Sequence, residues 1–277
     1  MGALLALASA TCYGIVDFAG GLLSRRIHFA VVTFLGQIGG LLLALMLASA
    51  LPADAVRSAD VLWGALSGVG SGAAMHFLNR GLSRGAMSIV VPVSAVTGVA
   101  LSVLCGVCFL GDRPTPLAWL GICVTVPALW CVSGGGDRGT GTARATVDGL
   151  LASAGVAVQY IGLAQADPGS GVWPVVAGRV TAVVLLLPSA WRYRSRFRQA
   201  PWPLAQAVVI GAGAALGLVL YLWAAQQQML ALAVVLASLY PAIPTVLGLA
   251  LLNEKVSRWQ VSGLLGAGGA VVLLTLG

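Results

Sequence analysis

Ten apolar runs follow one another along the chain, at residues 3–23, 31–51, 60–79, 86–110, 115–133, 147–166, 172–191, 203–225, 229–252 and 257–276. A helix needs about 20 mostly apolar residues to cross a hydrocarbon layer about 30 Å thick, because it rises about 1.5 Å per residue. The runs are continuous rather than alternating, so they predict helices and not the strands of a barrel. Short polar stretches separate them: Ser24-Arg25-Arg26, Pro52 to Asp60, Gly111-Asp112-Arg113-Pro114 and Asp167-Pro168-Gly169-Ser170-Gly171. The longest is GGGDRGTGTARAT, from Gly134 to Thr146, a flexible midpoint linker.

Composition excludes the water-soluble alternatives. Charged residues make up 8% of the chain, against about 25% in a soluble domain. With mean hydropathy at +0.97, a soluble enzyme, a disordered chain and a disulfide scaffold are all ruled out. The pI near 9.7 reflects basic loops that orient a membrane protein, so no nucleic-acid partner is expected. The five cysteines, Cys12, Cys105, Cys108, Cys123 and Cys131, lie in apolar runs. The Cys105-x-x-Cys108 pair has no second pair and no nearby histidine, and is read as packing. No metal or cofactor is expected. Ala8-Ser9-Ala10 resembles a signal cleavage site, but it lacks a basic flank and the apolar run continues past it. The first run is therefore expected to remain as a span.

Small residues recur four apart: Gly64, Gly68 and Gly72; Gly98, Ser102 and Gly106; Gly213 and Gly217. Such stripes allow helices to pack backbone to backbone.

A shift of 142 residues lays Asp112-Arg113-x-Thr115…Gly121 over Glu254-Lys255-x-Ser257…Gly263. The hydroxyl can cap the following helix and the acid can accept free backbone N–H groups. Asp112 and Glu254 are read as helix-capping or gating residues. Five spans per half is an odd number, so the second half enters the membrane the opposite way from the first. The fold class expected is an all-α membrane protein of ten transmembrane helices in two inverted five-helix repeats, 1–136 and 147–277, joined by a linker at 137–146. Inverted repeats are common in secondary transporters, with the substrate site at their interface.

The sequence resembles the drug/metabolite transporter superfamily, in its EamA-type ten-helix branch. The resemblance rests on the Asp112 and Glu254 motifs, on Ser238-Leu239-Tyr240-Pro241 upstream of Glu254, and on Tyr13-Gly14 with Asp17-Phe18-Ala19-Gly20-Gly21. It implies a basket of helices around a central cavity and export or exchange of small metabolites, without fixing one substrate. Asp112 departs from the glutamate more usual in the family.

Charge within the bilayer is costly and marks function by default. Asp17 in span one and Arg179 in span seven are the two clear cases. The 142-residue shift places Gln159 over Asp17 and Gln37 under Arg179. By helix rise the two charges are roughly 10 Å apart along the membrane normal. They are read either as a water-filled substrate or coupling site or as an internal ion pair. Weaker candidates are His76 and Asn79, which also fit an interfacial position, and Tyr221 and Tyr240, which also fit an aromatic belt. Pro92, Pro241 and Pro244 interrupt spans four and nine, as kinks or as broken helices lining a transport path.

Loop charge sets orientation. The odd-numbered loops carry 12 Lys and Arg and the even-numbered ones 2, so the odd loops are expected in the cytoplasm and both termini outside an inner or plasma membrane. Intramembrane-protease signatures fail: Val69 stands two residues before Ser71, and His28 and His76 are the only histidines. The expected function is a secondary active transporter, an exporter or exchanger of small metabolites such as amino acids, working by alternating access. The alternatives are an exporter of quaternary-amine or drug cations and a non-transporting scaffold or channel. The expected partners are a small-molecule substrate, a coupling proton or counter-substrate and the lipid bilayer, with the protein a monomer or homodimer.

Overall fold

Without water, a backbone can satisfy its N–H and C=O groups only within a helix or a closed barrel. The computed structural model describes residues 2–105, 115–132, 140–227, 240–252 and 256–276, and among them the chain takes the helical solution throughout. The helices are α1 (Gly2–Arg26), α2 (Phe29–Ala50), α3 (Ser58–Arg84), α4 (Met87–Cys105), α5 (Pro116–Val132), α6 (Thr140–Ala164), α7 (Trp173–Arg192), α8 (Pro201–Gln227), α9 (Ala242–Leu251) and α10 (Arg258–Leu276). Each overlaps one of the ten apolar runs. Six of them, α1, α2, α3, α6, α7 and α8, are long and apolar enough to cross a membrane.

Two boundaries differ from the sequence expectation. Helix α3 runs on past Asn79 to Arg84, and α6 begins at Thr140. At the end of α3 the cause is local: the helix presents Arg80 and Arg84 to Asp148 of α6. Asp148 Oδ1 accepts from Arg80 at 2.6 Å and its Oδ2 accepts from Arg84 at 3.2 Å. Paired in this way, the charges extend α3 rather than ending it. Asp112-Arg113, Glu254-Lys255, Gly106 and Ser238-Leu239 lie outside the described residues, while the motif hydroxyls cap as expected, Thr115 Oγ1 accepting from the Ala118 N–H at 3.4 Å and Ser257 Oγ from the Gln260 N–H at 3.2 Å. Proline is carried within α4 (Pro92), and Pro241 stands at the N-cap of α9.

The glycine stripes define the packing. On α3, Gly64 faces Pro174, Gly68 faces Gly178 and Gly72 faces Ala182 of α7. On α8, Gly211 faces Gly36 of α2, while Gly213 and Gly217 face Val16 and Tyr13 of α1. Gly155 of α6 lies against Gly70 and Ala74 of α3. Helix α3 therefore contacts α6 and α7, and α8 contacts α1 and α2. Further contacts join α2 to α7, α4 to α6 and α5 to α10. Serine and cysteine add cross-helix bonds, with Ser9 Oγ donating to the Gly217 carbonyl at 2.7 Å and Cys12 Sγ to that of Gly213 at 3.1 Å. The packing brings α1, α2, α3, α7 and α8 around one polar centre.

Candidate functional site

Asp17 is one turn before Gly20 on α1, and this face turns inward because the opposite one carries Ile15, 54% exposed. Arg179 follows Gly178, whose contact with Gly68 holds that face of α7 against α3. Asp17 and Arg179 are 7% and 5% exposed. Both line a cavity of about 30 Å³ together with Thr33, Gln37 and Asn79. One water needs roughly 10–15 Å³ of such space. The cavity therefore holds about two waters.

Arg179 Nη1 donates to Gln37 Oε1 at 2.8 Å and to Ser71 Oγ at 3.4 Å. Gly40 gives the arginine its room, since a Cβ there would lie 3.2 Å from Arg179 Nε. Asp17 is differently placed. Among the described residues it makes no side-chain hydrogen bond or ion pair, and it is not bridged to Arg179. Both charges border the same cavity, each without a counter-ion among the described residues. Asn79 Nδ2 donates to Thr33 Oγ1 at 3.0 Å, and Thr33 in turn donates to the Met75 carbonyl at 3.4 Å.

Tyrosines gather near Asp17. The Tyr13 and Tyr240 ring centroids are 6.0 Å apart. Tyr13, Tyr160 and Tyr240 are close enough to Asp17 to interact with its charge, and Tyr221 is close enough to Tyr160.

The residues singled out from the sequence are thus divided. Asp17, Gln37, Asn79 and Arg179 meet at the cavity. Tyr240 and Tyr221 belong to the tyrosine group beside it. Gln159 does not line the cavity; its backbone packs against Gly70 of α3. His76 stands apart as well, its ring 5.2 Å from that of Phe29. Sequence reading missed Thr33, Ser71, Tyr13 and Tyr160 as site residues. Thr33 lies four residues before Gln37 on one helix, and that spacing is the signal that could have found it.

The EamA-like transporter family profile matches residues 1–134 and 148–276. No curated protein matches the chain. A solved crystal structure of a protein superposes with a TM-score of 0.61 at 16% identity, over 99% of this chain and 97% of that one. That likeness supports the fold alone. The family is one of transporters of small molecules rather than of enzymes, and the apolar helices agree with a multi-pass membrane protein. Matched over both of its halves, the chain belongs to the EamA-like transporter family.

Proposed function

We propose that this protein is a secondary active transporter, an exporter or exchanger of small zwitterionic metabolites such as amino acids. It works by alternating access between two inverted five-helix repeats, 1–136 and 147–277, in an inner or plasma membrane. One observation carries the reading: two opposite charges, Asp17 and Arg179, neither paired with a counter-ion among the described residues, border one buried cavity. An ammonium group can neutralise the first and a carboxylate the second, with the guanidinium offering its remaining N–H donors.

The helix contacts support the inverted repeat. Adding five to each helix number turns the α3–α6 pairing into α8–α1 and the α3–α7 pairing into α8–α2, while α2–α7 and α5–α10 map onto themselves. Gln37 and Arg179, hydrogen-bonded to each other, are 142 residues apart, which is the repeat offset. Their bond then lies where the two halves turn about one another. The halves rock apart to enlarge the cavity toward one side at a time, with Asp112 and Glu254 as gating or capping groups.

Counterflow of radiolabelled amino acids in proteoliposomes tests this. Arg179→Ala and Asp17→Asn are expected to cut flux at least tenfold while the proteins still elute as single species. Wild-type flux in both variants would remove the pair from the site, and uptake that neither saturates nor follows a gradient would favour a channel or scaffold. The tyrosines around Asp17 favour a second reading, export of a quaternary-amine cation held on ring faces.

A further inference from the structure

The hydrogen-bond order at the cavity goes further than a pair of charges. Thr33 has one hydroxyl hydrogen, and it is given to the Met75 carbonyl. Toward Asn79 the hydroxyl can then act only as an acceptor. Asn79 must present its Nδ2 to Thr33, as observed at 3.0 Å. This fixes the amide and turns Oδ1 away from α2 toward α1. There it lies 3.6 Å from the point a Cβ on Gly20 would occupy, one turn from Asp17. Asp17, Gly20 and Asn79 all line the cavity. The Asp17 carboxylate and the Asn79 amide, its oxygen turned toward Gly20, therefore bring oxygen acceptors to one cavity. Arg179 brings donors to the same cavity.

We infer that Asp17 and Asn79 form a subsite for a primary ammonium group and discriminate against quaternary ammonium; the inference rests on the transporter reading for its substrate. A primary ammonium has three N–H donors to share between the carboxylate and Asn79 Oδ1, and its head is about the size of one of the waters the cavity accommodates. A trimethylammonium has no N–H. It would leave both acceptors desolvated and unpaired, and a site built to hydrogen-bond a group rejects the analogue lacking it. With Arg179 lining the same cavity, the ligand class is a zwitterion with an unmethylated amine beside its carboxylate.

The test uses the full-length protein in nanodiscs. Melting is screened against the proteinogenic L-amino acids, and the strongest stabiliser is compared with its N,N,N-trimethyl derivative. At least tenfold weaker binding of the trimethyl compound is expected. Asn79→Leu and Gly20→Ala should each weaken amine binding at least tenfold. Gly20→Ala should fold normally, because its methyl meets only ordinary contacts at 3.6 Å. Asn79→Asp, which keeps an oxygen facing α1, should bind the amine more tightly than Asn79→Leu. Equal or tighter binding of the trimethyl compound overturns the subsite, as does stabilisation by no amino acid. Gradient-driven flux of tetramethylammonium without amino-acid binding overturns the subsite and leaves the transporter reading standing. Amino-acid binding sensitive to Asn79, with no flux of any solute, keeps the subsite and overturns the transporter reading.

Discussion

Asp148 is 2% exposed, and its two oxygens serve Arg80 and Arg84 across the α3–α6 contact. Removing a buried partner leaves uncompensated charge, which costs about 3–5 kcal/mol where nothing relieves it. Here relief exists, because the Arg80 and Arg84 side chains are 25% and 45% exposed and can turn to water. Asp148→Ala is therefore expected to destabilise by about 1–3 kcal/mol, and Arg84→Ala by less than about 1 kcal/mol. Tryptophan fluorescence during heating in detergent checks the order; a larger drop for Arg84→Ala would contradict it. His28 supplies a pH-dependent case. Its Nδ1 accepts from the Ala30 N–H at 3.2 Å, capping α2, and that requires the unprotonated ring. Burial, helped by the nearby Arg196 charge, holds the imidazole below its usual range. The unfolded chain then binds the proton more readily, so the cap is intact above pH about 6.5 and is lost as pH falls through the lowered pKa. About 1 kcal/mol of cap stability should disappear on acidification. His28→Asn, which can cap without titrating, should flatten that part of the pH–melting curve. At this scale the sequence was informative where burial is expensive. Asp17 and Arg179 stood out because charge in an apolar run demands a reason. Thr33 and Ser71 did not, because a hydroxyl in a helix can bond its own backbone at little cost.

The positions of the helices were legible because an apolar run of about twenty residues has few other uses. Their partners were not. The spacing of Gly64, Gly68 and Gly72 announced a close approach, but nothing in a four-residue period says that α7 is what approaches. That choice depends on contacts more than a hundred residues apart, and local pattern does not encode them. The structure makes the stripes testable. A Cβ on Gly68 would land on the Gly178 carbonyl, and one on Gly211 on the carbonyl of Gly36. Both obstacles are backbone and cannot rotate away. Gly68→Ala and Gly211→Ala are expected to force α3 from α7 and α8 from α2, at about 1–3 kcal/mol each. Gly268→Ala on α10 meets nothing within 4 Å. It should be neutral, or stabilising by up to about 1 kcal/mol through helix propensity. Melting temperatures of the three variants check this, and a Gly268→Ala protein as unstable as the other two would remove packing as the explanation.

For the molecule as a whole, the proposed repeat was visible in sequence as one short motif on each side, and the acid–base pair of each copy lies outside the described residues. Stronger support comes from packing. Adding 142 to Gly36 gives Gly178, and subtracting 142 from Gly211 gives the neighbour of Gly68. The Gly36–Gly211 and Gly68–Gly178 contacts are then two copies of one arrangement, exchanged by the proposed axis. Identity scattered over the halves could not reveal this, because glycine and alanine are so abundant that chance matches swamp the real ones. An inverted pair of five-helix units has a consequence that its parts do not. The first half must end on the opposite face from its start, and the second must bring the chain back. In the proposed orientation the 12-to-2 excess of basic residues puts the odd loops in the cytoplasm. A fluorescent reporter inserted after Gly136 is expected to fold, in the cytoplasm, and the same reporter after Gly277 to stay dark. Alkaline phosphatase at these two positions should give the reverse pattern. Exchanged signals would keep the inverted repeat and turn the molecule over, so that the basic loops would face outward against the charge rule. Like signals at both positions would mean an even number of crossings between them. The two halves would then be parallel, and the exchange of α3–α6 with α8–α1 could not arise from an axis lying in the membrane plane.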